Sequence, residues 1–132
     1  NVLNLLQNDS TIRSIMGFND KNVFDKKHTS VNGGVPDINA YVDKTKVDQS
    51  AIIEIKKEGG DRLWKAIVQG CAYCEGTESP RLIIVAQDKE LSQQMWSKIR
   101  PLERWARLKI KDFSVDYFQY QYLVMMAKSS KD

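Results

Sequence analysis

The stretch Ala51-Ile52-Ile53-Glu54-Ile55-Lys56-Lys57 decides how the rest of the chain is read. Its apolar opening is the pattern of a buried strand, and the turn residues Gly59-Gly60-Asp61 end it and cap a following helix. Residues two apart on a strand project from one face, so Glu54 and Lys56 stand side by side while Ile53 and Ile55 pack on the other. A charged pair buried at the end of an apolar strand is costly unless something compensates it. A divalent cation beside the carboxylate would do so.

Working outward toward the amino terminus, Asp43–Ser50 reads as a loop and residues 37–42 as a strand. There Ile38, Ala40 and Val42 alternate with Asp37, Asn39 and Tyr41. Before it come extended Val35-Pro36, the turn Asn32-Gly33-Gly34 and a short strand over 22–28. Residues 2–16 carry apolar positions at helical spacing, with a restart at Asp9 or Ser10 as an N-cap. In the other direction the pattern predicts a helix from about Arg62 to Glu75 closed by Gly76, and a strand over Arg81–Ala86. A helix follows over 89–100, which Pro101 kinks or restarts through Leu108, and β-rich aromatic sequence over 112–126 ends the chain. The order is helix, three strands, helix, strand, helix, strand. It predicts an α/β sandwich with a mixed central sheet.

With 132 residues and no repeat or linker, residues 1–132 form one domain. The 42% apolar and 28% charged content is that of a globular protein, not a fibrous or disordered one. The longest apolar runs, Leu82–Ala86 and Tyr122–Ala127, fall far short of the ~20 residues of a membrane span, so no membrane partner is expected. Two cysteines make no disulfide framework, which predicts a reducing, cytoplasmic location.

Pro36-Asp37 puts a second carboxylate at a strand start. If strands 37–42 and 51–57 pair as a hairpin, Asp37 lies across from Glu54 and Lys56. Two carboxylates converging beside one lysine suit metal-assisted phosphodiester hydrolysis: oxygens for a hard cation and an ammonium for the attacking water or the developing charge.

Val35-Pro36-Asp37 followed by Ile52-Ile53-Glu54-Ile55-Lys56 resembles the PD…(D/E)-x-K signature of the restriction-endonuclease-like nuclease superfamily. Gln69-Gly70-Cys71-Ala72-Tyr73, on the next helix, is similar to the Q-x-x-x-Y motif of the exonuclease branch that includes RecB and lambda exonuclease, and to the nuclease domains of type I restriction motor subunits. The likeness spans roughly residues 1–87. It implies a three-layer sandwich with an αβββαβ core plus a carboxy-terminal helix and strand. It further implies a Mg²⁺-dependent deoxyribonuclease, Mn²⁺ substituting, with Asp37, Glu54 and the Ile55 carbonyl as metal ligands, Lys56 as the catalytic lysine, and Gln69 and Tyr73 as supporting groups. Many members carry an acidic residue in the first helix; this chain offers Gln7 and Asp9 there. The alternative is a DNA-binding or assembly module that keeps the fold without catalysis.

Gln69 and Tyr73 share a helix face with Arg62, Lys65 and Ala66, and the resemblance implies that this face meets substrate phosphates. Net charge is +3, and residues 1–60 balance at eight Lys/Arg against eight Asp/Glu, so the excess lies in the second half. Lys98, Arg100, Arg104 and Arg107, with Lys109 and Lys111, face a single acid, Glu103, between Trp96 and Lys111. Such a cluster can hold a DNA backbone, or simply be a solvated helix face. His28, the single histidine, could reach a phosphate or a metal, although a surface role is the simpler reading. Cys71 and Cys74 form a C-x-x-C late in a helix, where packing explains them better than redox or metal chemistry. Trp64, Trp96 and Trp105 are expected in core packing. Phe118, Tyr120 and Tyr122 alternate with Gln119 and Gln121 as a strand face that covers the core or pairs with a second copy in a homodimer.

Overall fold

The computed structural model describes residues 1–26, 36–56, 61–77, 79–86 and 93–131. Five strands form one sheet in the order β1-β2-β3-β4-β5: β1 (Val23–Asp25), β2 (Ile38–Tyr41), β3 (Gln49–Lys56), β4 (Arg81–Ala86) and β5 (Ser114–Gln119). The first three form an antiparallel meander, and β4 and β5 run parallel to β3, so the sheet is mixed as the element order predicts. The turn expected at Asn32-Gly33-Gly34 lies outside the described residues. β3 starts two residues earlier than the apolar run suggests. A bulge lets Ala40 pair with Ala51 and Tyr41 with Gln49, leaving Ser50 as the extra residue.

The period-two alternation sorts the strands' side chains into two cores. On one face Ile52, Leu82, Ile84 and Val115 lie under α3 (Asp61–Thr77) and α4 (Gln93–Arg107), meeting Ala66, Ile67, Cys71 and Ile99. On the other, Ile38, Ile53, Ile83 and Val85 meet α1 (Val2–Asn8), α2 (Ser10–Ile15) and α5 (Tyr120–Lys131) through Leu6, Ile12, Leu123 and Ala127. Strands β3 and β4, covered on both faces, therefore read as near-continuous apolar sequence. Full burial of each such aliphatic side chain contributes about 1.5–3 kcal/mol. The break between α1 and α2 is the predicted one: Asp9 caps α2, its carboxylate accepting from Thr11 N at 2.9 Å and Ile12 N at 3.2 Å.

Three boundaries differ from expectation. Helix α3 runs through Gly76 to Thr77, held on the sheet by Ile67, Cys71 and Cys74, whose packing outweighs the ~1 kcal/mol cost of a helical glycine. Helix α4 runs unbroken through Pro101, because Ile99 and Ala106 anchor it on either side. The aromatic tail is not one strand: β5 stops at Gln119 and α5 begins at Tyr120. Leu123 and Ala127, four apart, bury one helical face, and this spacing overrides the Tyr/Gln alternation. Tyr122 and Met125 are left exposed, and the Phe118-Tyr120-Tyr122 strand face does not form. Among the described residues no helix is long and apolar enough to cross a membrane.

Candidate active site

The β2–β3 hairpin brings the two predicted carboxylates together. Ile38 pairs with Ile53 and both point into the core shared with α1, so Asp37 and Glu54, one step further along each strand, turn to the opposite face. The ladder opens here. Asp37 Oδ2 accepts the Ile55 backbone N–H at 2.8 Å, a side chain standing in for a strand neighbour. Asp37 is exposed, whereas Glu54 is 3% exposed. Burial pushes the Glu54 carboxyl up to about 8. The Asp37 charge and a hydrogen bond between the two carboxyl groups push the same way, against Lys56 and the Asp37 backbone N–H. Glu54 Oε1 is buried with no hydrogen-bond partner.

Helix α3 forms the wall over this pair. It sits close to β4 at Gly70, where a Cβ would come within 2.5 Å of Leu82 Cδ1. That approach lets Tyr73, 2% exposed, lie within electrostatic reach of both carboxylates. Burial raises the Tyr73 hydroxyl above its ordinary value, Glu54 and Asp37 add to the rise, and a hydrogen bond with exposed Gln69 opposes it. Of the two α3 residues picked out by the sequence, Tyr73 lies within reach of the hairpin acids and exposed Gln69 bonds to it. Cys71 and Cys74 are buried, reduced neighbours in the α3 core. Burial pushes the Cys71 thiol up to about 11 and moves Cys74 further in the same direction, so neither is a poised nucleophile or ligand.

Helix α3 packs on β3 and β4. The same face of β1 and β2 is polar instead: Gln49 donates to Asn39 Oδ1 at 2.6 Å, and Lys46 pairs with Asp25 at 2.6 Å beside Tyr41. The acid pair lies where the covered half of the sheet meets this polar half. A second opening adjoins it, a cavity of about 310 Å³ bordered by Asp37, Ile55, Leu3 and Lys26. Lys26 carries no motif and escaped the sequence reading. Its one signal was membership of the Lys26-Lys27-His28 run.

The donor set suits a hard divalent cation. Two carboxylates, one with an orphaned oxygen, and the Ile55 carbonyl beside them match the few oxygen ligands that Mg²⁺ takes besides water and phosphate. Among the described residues no group of three or more His, Cys, Asp or Glu gathers. Gln7, in the first helix, is used otherwise: its amide donates to the Phe24 carbonyl at 3.1 Å.

The predicted basic contacts divide. Lys65 is exposed on α3; the Arg62 and Trp64 side chains and His28 lie outside the described residues. Lys98, Arg100 and Arg104 are exposed on α4, with Arg100 over the Trp96 ring at 4.9 Å. Arg107 is engaged in the fold, pairing with buried Glu103 at 2.8 Å and donating to the Phe113 carbonyl at 2.9 Å. Because β4 and β5 are parallel, α4 must run back across the sheet, which carries Arg104 and Arg107 toward the strand-start edge, away from Glu54 and Lys56. Trp96 packs edge-on against Tyr117 as expected of a core residue, but Trp105 is 53% exposed. Compared with family models, curated proteins and solved structures, the chain matches none.

Proposed function

We propose that the chain is a metal-dependent deoxyribonuclease with a restriction-endonuclease-like fold, in which Asp37, Glu54 and the Ile55 carbonyl hold the metal. The observation that carries this reading is the buried, partnerless Glu54 Oε1, in a carboxyl that shares a hydrogen bond with Asp37 and lies beside Lys56. An acid pair with an orphaned oxygen is unfavourable in isolation and is relieved by a cation. The hairpin carrying the acids, the crossover helix α3 with Gln69 and Tyr73, and the parallel β4 support the same reading.

Mg²⁺, or Mn²⁺ in its place, would supply Lewis-acid stabilisation of the phosphate and a water of lowered pKa. The chain's residues have separate tasks. Asp37 and Glu54 would hold the cation, and the Glu54 carboxyl, raised by burial, would give up its proton to do so. Lys56, on the Glu54 face, orients the attacking water or meets charge developing on the phosphate. Tyr73 is held by Gln69 and by burial against Glu54, which keeps the acid in place; exposed Gln69 and Lys65 face the substrate. The exposed arginines of α4 add affinity through phosphate contacts.

The test is incubation of labelled DNA with Mg²⁺ or Mn²⁺, against the same mixture in EDTA. Cleavage should require the metal and vanish in Glu54→Ala. Metal-independent binding without cleavage would replace this reading by that of a non-catalytic DNA-binding module.

A further inference from the structure

The turn that ends α4 presents an apolar and cationic surface that the proposed chemistry does not use. Trp105 is 53% exposed and Leu108 84% exposed, whereas Trp96 is half-buried. Lys109 Nζ lies over the Trp105 ring, 5.8 Å from its centroid, and Arg104 and Lys111 are exposed around it. Of the acids nearby, Glu103 is buried and already paired with Arg107, which leaves exposed Asp112, next to Lys111, against Arg104, Lys109 and Lys111. The turn itself is ordered by the Ile110 N–H to Ala106 carbonyl bond at 2.9 Å, and Ile110 and Phe113 anchor it in the core. The indole is therefore held out by a fixed backbone, and the surrounding charge is net positive, three exposed cations against one exposed acid.

From this geometry we infer that Trp105, with Arg104, Lys109 and Lys111, forms a contact site for single-stranded nucleic acid, the indole stacking on a base while the cations meet the flanking phosphates. Stacking accepts any base, and a planar ring rimmed by cations matches a base rimmed by phosphates. A duplex hides its base faces and could use only the cations. A protein partner would have to be strongly acidic to tolerate three cations around one tryptophan. The site lies at the strand-start edge of the sheet, where the Ser114 N–H bonds to the Pro80 carbonyl at 2.8 Å, whereas Glu54 and Lys56 lie toward the strand ends. A helix of 15 residues separates the two levels, about 22 Å at 1.5 Å per residue. The contact thus does not depend on cleavage, and it would hold a strand some distance from the acid pair.

The experiment is binding of a fifteen-nucleotide oligothymidine and of a duplex of equal length to the full chain in EDTA, by anisotropy and tryptophan emission. The oligothymidine should quench emission in the wild type, and Trp105→Phe should remove the part of the signal owed to the indole. Trp105→Ala should weaken single-strand binding roughly tenfold and leave duplex binding nearly unchanged. Lys109→Met with Lys111→Met should lower the single-strand salt slope by about 1.4, at ~0.7 per lost contact. Both variants must keep the wild-type circular dichroism, and Leu108→Ser serves as a second, milder change to the same patch. Unchanged single-strand affinity in Trp105→Ala overturns the proposal. So does equal weakening for duplex, which would mark a backbone-only surface, or a Trp105-dependent self-association of the free protein, which would mark a protein interface. Because no metal is present, failure here leaves the nuclease reading standing, and failure of cleavage leaves this one standing.

Discussion

Replacing Glu54 by Gln should convert a pH-dependent stability into a flat one. A Glu raised in the fold from its ordinary 4.5 to about 8 contributes stability that is fully present below 4.5 and lost as pH rises through about 8. At 1.36 kcal/mol per unit, the loss is about 1 kcal/mol at pH 5, about 3 at pH 7 and about 4 at pH 8. For a domain of this length, ~4 kcal/mol corresponds to a Tm change on the order of 10 °C. The nearby Asp37 charge contributes to the rise, so the figures are upper values for burial alone. In EDTA, the Tm of Glu54→Gln minus that of the wild type should therefore climb by that order between pH 5 and pH 8, measured by calorimetry at fixed ionic strength. The variant's own amide adds a constant offset, so the slope is the quantity to read. Mg²⁺ should then raise the wild-type Tm at pH 8 and leave the variant's where it was. A difference that stays flat from pH 5 to pH 8 would refute the account of a buried Glu54 carboxyl raised by its surroundings.

Lys56→Met should lower single-turnover cleavage roughly 10²–10³-fold with little change in DNA affinity, and Lys56→Arg should be poor as well, because a planar guanidinium does not replace a point ammonium. If arginine restores full rate, the lysine only neutralises Glu54. Gly70→Ala should destabilise by about 1–3 kcal/mol despite its better helix propensity, since the new methyl meets fully buried Leu82; denaturant melts at constant m-value read this directly. Arg107→Ala should cost about 1–3 kcal/mol by leaving the Glu103 carboxylate buried without its partner, while Arg104→Ala should barely move stability; the reverse order would mean Arg107 is free for substrate after all.

The sequence was most legible where one physical requirement dominated. Ile52, Ile53 and Ile55 could only be a buried strand between covered faces, and Asp37 had to meet Glu54 once a hairpin joined them; both are observed. Gln69 and Tyr73 stand out by the Q-x-x-x-Y resemblance and their i, i+4 spacing; α3 brings Tyr73 within reach of the acids, with Gln69 bonded to it. Misreadings arose where two periods competed. In Phe118–Tyr122 the alternation suited a strand, but the burial that decides the conformation comes from Leu123 and Ala127, beyond the aromatic run. Trp105 was assigned to the core because tryptophan usually goes there. Which residues of α4 face the sheet is fixed by Ile99 and Ala106, and their contacts come from strands distant in sequence. Charge counting likewise could not separate Arg107, which the buried Glu103 claims, from Arg104, which nothing claims in the same way.

The extra residue at Ser50 has a consequence for how this protein can change. Strand β3 is aligned twice, antiparallel to β2 on one side and parallel to β4 on the other, and its pairing with β4 alone fixes the height of Glu54 and Lys56. Because the bulge lies between the hairpin tip and the acids, it takes up the mismatch between the two alignments on the tip side. Residues 42–48 can therefore lengthen, shorten or exchange charges without sliding Asp37 past Ile55. The molecule thus has a variable end and an invariant end on the same two strands, and new contacts can be gained at the tip while the spacing of the two carboxylates is inherited unaltered.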